Sequence, residues 1–328
     1  MSLAERIATL RASRGFAHKT DIAGVVGALA RALPNGAADL AQAVAVGDDC
    51  AAIADGDGYL LFAIEGLVAD FVEAMPWFAG YSGVMVNLSD IYAMGGRPIA
   101  VVDALWSEGL DAARAVLDGM AAASAAYGVP IVGGHSNARA DGAQLAVAIL
   151  GRARRLLSSF AAQPGDRLLM AVDLRGRFED PYPFWNASVG APPQRLRDDL
   201  ELLPMLAEDG LCDAAKDISM AGAIGTALML LEASQVGARI DLDAIPRPDG
   251  VDFDRWLGAF PSFGFLMSVR EAQADAVIAR FAARGLACAA IGTVDATREV
   301  VLTEAGEAAR LWDLRETPFI GAAPGAAR

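Results

Sequence analysis

The stretch VMVNLSDIYAMGGRP, Val84 to Pro98, decides how the chain is read. Val84, Leu88 and Ile91, with Met85, Tyr92 and Met94 beside them, recur at helical spacing, while Asn87 and Asp90 fall one turn apart in the same run. This predicts a helix over about 78–95, ended by Gly95 and Gly96 with Pro98 beyond them. A carboxylate among so many apolar neighbours is the anomaly, because buried without a partner it would cost several kcal/mol. Asp90 therefore calls for a compensating group.

Working outward, strands are predicted at 51–54 and 59–65, before the helix, and at IAVVDALW after it. An Ala-rich helix at about 110–127 stops at Gly128, and short strands follow in VPIV and AQLAVAILGRA. This half alternates α and β. Near 155–166, RLLSSFAAQPGDR has the turn chemistry of a connection, which places a domain boundary there and predicts domains 1–155 and 156–328. The second half offers helices at about 195–208, 220–235 and 271–284, with strands near 238–242, 263–269, 287–292 and 299–303. The expected fold class is α/β (α+β) in two domains. The segment GRFEDPYPFWNASVGAPP, 176–193, is the longest stretch without predicted structure and reads either as a lid or as a surface loop pinned by its aromatics. The tail TPFIGAAPGAAR is expected to fray.

Composition narrows the function classes. With 328 residues, two ordinary cores fit. Although 54% of the residues are hydrophobic, no run of about 18 uninterrupted apolar residues occurs, and the N-terminus MSLAERIATLRASRG carries charges among its apolar positions. The expectation is a soluble, cytoplasmic protein. Cys50, Cys212 and Cys288 are odd in number and dispersed, which indicates neither a disulfide framework nor a thiolate metal site. A formal charge of −14 without a basic stripe argues against nucleic-acid and membrane partners. An anionic ligand such as ATP would need metal cations as mediators.

Four constellations carry chemistry. In VGDDCAAI, 46–53, adjacent Asp48 and Asp49 follow a turn-forming glycine. Converged to about 4 Å at an effective dielectric near 20, two carboxylates repel by roughly 4 kcal/mol, which a divalent cation relieves, and hard oxygen ligands suit magnesium. The same letters fit a hairpin turn with two solvated acids. IVGGHSNAR, 131–139, runs a strand into Gly133, Gly134, His135 and Asn137, where backbone N–H groups can approach a phosphate or adenine, and where His135 is either functional or structural. In AAKDISMAGAIG, Asp217 and Ser219 precede a helix and could instead cap it. SRGFAHKTDIAG, 13–24, puts His18, Lys19 and Asp21 before a helix, with Lys19 either solvated or on a phosphate. Phosphate-loop, dinucleotide, serine-hydrolase and zinc-protease motifs are absent.

Together these motifs resemble the superfamily of aminoimidazole ribonucleotide (AIR) synthase, thiamine-monophosphate kinase, selenophosphate synthetase and the hydrogenase-maturation carbamoyl dehydratase. GDDCAAI is similar to its GDD-A element, VNLSDIYAMGGRP to its VNLSD-AAMG-P helix, IVGGHSN to its GGD/GGH turn, and KDIS with VGARIDLDAIP to its second-domain signature. The resemblance implies a homodimer whose N-terminal domains join sheets, with ATP and several magnesium ions bound by each protomer. It implies that Asp48, Asp49, Asp90 and Asp217 are metal ligands, that Gly133, Gly134, His135, Asn137 and Ser219 line the nucleotide, and that Lys19 contacts phosphate. Thiamine-monophosphate kinases carry Thr/Ser-Asp where this chain has Glu65-Gly66, which puts Glu65 at a metal-ligand position. They read DISDG against DISMAG here, with Met220 at an acid, and their Gly-Glu-Asp-Tyr element is FPSFGFLM here. Selenophosphate synthetases have a reactive Cys where Ala17 and His18 stand. The implied function is a Mg-ATP-dependent phosphotransferase or ATP-activating synthase acting on a small metabolite. Thiamine-monophosphate kinase itself and a non-catalytic nucleotide-binding accessory protein are the alternatives.

Overall fold

Alternating apolar positions pair into two principal sheets, each inside its own compact unit; the computed structural model describes residues 1–31 and 46–321, with side chains over 1–25 and 46–321. The smaller unit comprises Cys50–Arg155 and Gly190–Met205. Its five strands, β1 (Ala51–Asp55), β2 (Gly58–Leu67), β3 (Arg97–Glu108), β4 (Ile131–Asn137) and β5 (Arg139–Ala153), lie in the order β1-β2-β5-β3-β4. All neighbours are antiparallel except β3 and β4, which are joined by a crossover helix.

Helices α3 (Ala69–Ala74), α4 (Pro76–Ala93) and α5 (Leu110–Tyr127) belong to this unit. The inner sheet face presents Leu61, Ala63, Val101, Leu105, Leu145, Val147 and Ile149, all buried. Helix α4, nearly apolar all round, packs between that face and α5. Its approach to α5 needs two glycines: a Cβ on Gly119 would meet the Trp77 carbonyl, and one on Gly80 the Val116 carbonyl. Gly128 caps α5 in the left-handed region at φ 73°. Among the described residues no helix of this unit packs on the outer sheet face. Phe62 and Ile64 are 51% and 65% exposed there, and they align through β5 with Leu150, Ala148 and the exposed Val102.

The larger unit comprises Met1–Asp49, Leu156–Val189 and Leu206–Arg328. It holds β6 (Arg167–Val172), β9 (Ala214–Asp217), β10 (Gly237–Asp241), β12 (Gly264–Val269), β13 (Ala287–Asp295), β14 (Glu299–Glu304) and β15 (Glu307–Asp313), in the order β15-β14-β10-β13-β6-β12-β9. On one face, Leu168, Met170 and Val172 pack with Leu3, Ile7 and Leu10 of α1 (Leu3–Ala12), Phe16 of α2 (Arg14–Arg31), and Ile224, Leu228 and Leu231 of α8 (Gly222–Ala233). On the other, the Phe263 ring meets Phe265 at 5.1 Å and Phe281 of α10 (Glu271–Ala282) at 6.5 Å. Strands β7 (Arg177–Phe178), β8 (Phe184–Asn186) and β11 (Phe260–Pro261) make a small third sheet beside the short helix α9 (Phe253–Leu257).

Several expectations change here. The compact units do not coincide with the halves 1–155 and 156–328: residues 1–31 and 46–49 group with the second half, where α1 and α2 bury an apolar stripe in its core, and 190–205 group with the first. In that returning segment, Arg197 donates to the Ala126 carbonyl at 2.9 Å and Arg97 meets Glu201 at 2.5 Å. The predicted helix 195–208 is two, α6 (Pro193–Leu200) and α7 (Leu202–Glu208), because the Pro204 ring cannot follow the carbonyl of Leu200 in one helix. Of the segment 13–24, Ser13 caps α1 and residues 14–24 lie within α2 rather than ahead of a helix. Residues 176–193 are pinned: Trp185, 4% exposed, meets Phe178 and Trp256 edge-on at 5.2 Å and donates to the Asp173 carbonyl at 2.9 Å.

The tail does not fray up to Gly321, whereas 322–328 lie outside the described residues. The Glu232 carboxylate accepts the N–H groups of Phe319 and Ile320, each at 2.7 Å; burial raises this carboxyl above its usual range while those donors pull it back. The Phe319 ring sits edge-on to Phe16 and Trp312 at 5.2 and 5.5 Å. Among the described residues no helix is long and apolar enough to cross a membrane. Truncating the fully buried Phe319 to Ala should lower stability by about 3–5 kcal/mol, read as a lower urea midpoint; an unchanged midpoint would show that the tail is not part of the core.

Candidate acidic site

Strand β9 is four residues, AAKD, at the edge of the seven-stranded sheet, paired only with β12 in the register Leu266 to Lys216 and Phe265 to Asp217. Side chains alternate along a strand, so Lys216 and Asp217 leave it on opposite faces. The register extends one residue, with Ile218 donating to the Gly264 carbonyl at 2.9 Å, before the chain turns at Ser219 to Gly222 into α8. Neither Asp217 nor Ser219 caps that helix. Its N-cap is Ala221 without a side-chain bond; Ser219 uses its backbone N–H on Thr226 Oγ1 at 3.1 Å, and its buried Oγ has no hydrogen-bond partner among the described residues.

Residues 48 and 49 belong to the same larger unit. Lys216 Nζ forms a salt bridge with Asp49 Oδ1, the two side chains only 6% and 5% exposed, and the Asp217 N–H points at Asp49 Oδ2 at 3.4 Å. A carboxylate oxygen of Asp49 lies within 4.8 Å of one of Asp217. Burial pushes the Asp49 carboxyl up to about 7; the Lys216 charge opposes that rise, and Asp217 and Asp48 add to it. Burial also works against the Lys216 ammonium, but Asp49, Asp48 and Asp217 outweigh it and hold its pKa above the usual lysine range. Three carboxylates face one ammonium, leaving two negative charges in excess.

Asp48 plays a different part from the metal ligand expected. Its Oδ1 accepts from the Asp49 N–H at 3.1 Å and the Ser159 hydroxyl at 2.6 Å; its Oδ2 accepts from the Ser158 hydroxyl at 2.7 Å and the Ser159 N–H at 3.0 Å. A carboxylate offers about four lone-pair sites, so this group is saturated and ties residue 48 to the start of the second half. That leaves Asp49 and Asp217 as the acids of this unit fit for a cation. The fit is good in kind, since a pair of carboxylates offers the oxygen donors that suit a hard divalent ion such as magnesium.

The other expected residues belong to further elements of the two units. Gly15 of α2 packs on the turn before α8, where a Cβ would meet the Met220 carbonyl and Ala221, and half-buried Lys19 follows one helical turn later in the same unit. Asp90 is 6% exposed in α4 of the smaller unit. One turn before it, fully buried Asn87 donates from Nδ2 to the Gly83 carbonyl at 2.8 Å, and its Oδ1 has no hydrogen-bond partner among the described residues. Glu65 is exposed on β2.

Gly133, Gly134, His135 and Asn137 are not a turn after a strand but are all in edge strand β4, and all are exposed. Gly134 permits close pairing with β3, since a Cβ there would meet the Asp103 carbonyl oxygen at 2.7 Å. The ring of His135 lies 6.1 Å from that of Trp106, and Asn137 Oδ1 accepts the Arg139 N–H at 3.0 Å, closing the turn into β5. Sequence reasoning passed over Lys216, Ser158 and Ser159. The Lys-Asp pair inside an otherwise apolar β9 and the paired serines of RLLSSF were the available signals. Asp48→Ala should lower stability by about 3 kcal/mol and Ser159→Ala by about 1 kcal/mol in denaturant unfolding; no loss in either variant would contradict the saturated carboxylate.

Comparison with known proteins follows the same outline. A profile described as AIR synthase related protein, N-terminal domain, matches residues 47–153, and its C-terminal-domain counterpart matches 183–304. The uncharacterized protein sll0787 of Synechocystis sp. is 52% identical over 281 residues, covering 85% of this chain and 87% of that one. The chain superposes on T. maritima PurL complexed with ADP with a TM-score of 0.71 at 19% identity, covering 86% of this chain and 48% of PurL. It superposes on AaThiL complexed with AMPPCP and TMP with a TM-score of 0.63 at 18% identity, covering 80% and 89%. At these identities the two likenesses are of fold, and the chain spans about half of PurL.

Proposed function

Because the chain belongs to the AIR synthase-related family across both of that family's domains, we propose that it binds Mg-ATP and transfers a phosphoryl group to, or otherwise activates, a small metabolite. The observation that carries this reading is the buried pair Asp49 and Asp217, whose carboxylates approach within 4.8 Å. The nucleotides held by the structural neighbours PurL and AaThiL support ATP as the ligand.

In this proposal Asp49 and Asp217 hold magnesium, which when bound neutralises phosphate charge and aligns the transferred group. Asp48 fixes the residue beside Asp49 through Ser158 and Ser159, so the ligand is presented from a rigid turn. No side-chain nucleophile is needed, because positioning and charge neutralisation supply most of this chemistry.

Titration calorimetry of the whole protein with ATP and magnesium tests this. Binding is expected in the micromolar to millimolar range, lost by about tenfold or more in Asp217→Asn and Asp49→Asn. Absence of heat at millimolar Mg-ATP, or full binding by both variants, would refute the proposal. Release of ADP across a panel of phosphoryl acceptors, thiamine monophosphate among them, separates an enzyme from an accessory protein that only binds nucleotide.

We propose further that the protein is a homodimer joined through the outer face of the five-stranded sheet. Phe62, Ile64 and Val102 are exposed there in one aligned band with Leu150, a patch that a monomer rarely leaves to water. Light scattering should report a dimer for the native protein and a monomer for the double variant Phe62→Glu, Ile64→Lys. A native monomer would rule the arrangement out.

A further inference from the structure

Lys216 is the one constituent of the acidic site that the proposed function does not require. Its side chain is 6% exposed, so the ammonium has no water shell to return to. Its ion pair is with Asp49, the carboxylate proposed above as a metal ligand. An ammonium and a divalent cation drawn to the same carboxylate compete for it, because two cations so close repel. The strand that carries Lys216 is short and at the sheet edge, with β12 on one side only, and the side chain is a flexible four-carbon stem.

Resting on the Mg-ATP reading, we propose that Lys216 is a positioning residue that occupies Asp49 in the cation-free protein, yields it when a divalent cation binds, and then pairs with the phosphates of the nucleotide. Two consequences follow. The divalent cation alone binds weakly, because it must displace a buried ammonium. Cation and nucleotide bind cooperatively, because the displaced ammonium needs an anion and the polyphosphate supplies one. Coupling of this kind is reciprocal: each ligand raises the affinity of the other by the same factor. The site then rejects a bare cation or bare nucleotide and accepts the pair. This is a selectivity that a wholly acidic cluster lacks, since such a cluster takes up divalent ions without nucleotide.

The test measures Mn2+ binding by electron paramagnetic resonance and calorimetry, with and without the non-hydrolysable nucleotide AMPPCP, on the whole protein and on Lys216→Met purified with magnesium. Native protein is expected to gain at least about fivefold in Mn2+ affinity when AMPPCP is present. Lys216→Met should bind Mn2+ alone about tenfold or more tightly than native protein, with the AMPPCP enhancement falling towards one. Its melting temperature should also rise more on adding Mn2+ than that of the native protein.

The double variant Asp49→Asn, Lys216→Met removes both charges and guards against a fold that cannot tolerate an unpaired buried Asp49. It is expected to fold and to lose the gain in Mn2+ affinity. Equal or weaker Mn2+ binding by Lys216→Met overturns the inference, as does unchanged coupling, while leaving the Mg-ATP reading intact. A native protein that binds no Mn2+ with AMPPCP removes both.

Discussion

Negative charge buried in the larger unit is the constraint to which its local structure answers. Asp48, Asp49 and Asp217 come from two regions of the chain some 170 residues apart, and each is handled differently. Asp48 is saturated by hydroxyl and N–H donors from Ser158 and Ser159 with the N–H of Asp49, Asp49 is matched by the buried ammonium of Lys216, and Asp217 adds its charge to that pair. Removing any one leaves a group that must find a new partner in a low-dielectric setting, where an unpaired charge is expensive. The fold accommodates this because β9 stands at the sheet edge, so its Lys-Asp pair enters the unit without breaking the hydrophobic layers behind it.

The smaller unit answers a different constraint. Its helix α4 is apolar almost all round and approaches α5 so closely that glycines are required on both, at Gly80 and Gly119. Within that dense packing sit Asn87 and Asp90, polar groups that no hydrophobic core would select. Asn87 offsets part of the cost of its burial by donating to the Gly83 carbonyl one turn back. The outer sheet face is the converse case, with apolar side chains where a free monomer would carry polar ones.

Much of this was legible in the residues, and the exceptions have physical reasons. The helix Leu110–Tyr127 matches its predicted limits because the Ala-rich period and the left-handed cap at Gly128 act at the same end. Helix α4 differs by two residues at either end, the ordinary uncertainty of helix termini. Strand β9 escaped notice because half of its four residues are charged, and its strand conformation is imposed by β12 rather than by propensity. The two N-terminal helices were hidden by Gly15 and Gly24, and the docked tail by its small residues; both are held by tertiary burial. In the candidate site, Asp49 and Asp217 were readable from motif order, but no local pattern reveals that Asp48 spends its oxygens on serines 110 residues away.

The interleaved order of the two units bears on how the chain is made. The five-stranded sheet ends at Ala153, so it can assemble while the ribosome is still translating the second half. The larger unit has no such opportunity. Its first two helices are translated well before Trp312 and Phe319, whose rings cover Phe16. Until those residues follow, the apolar stripe of α1 and α2 lacks its final cover, and it is the natural place for a chaperone to attend the growing chain.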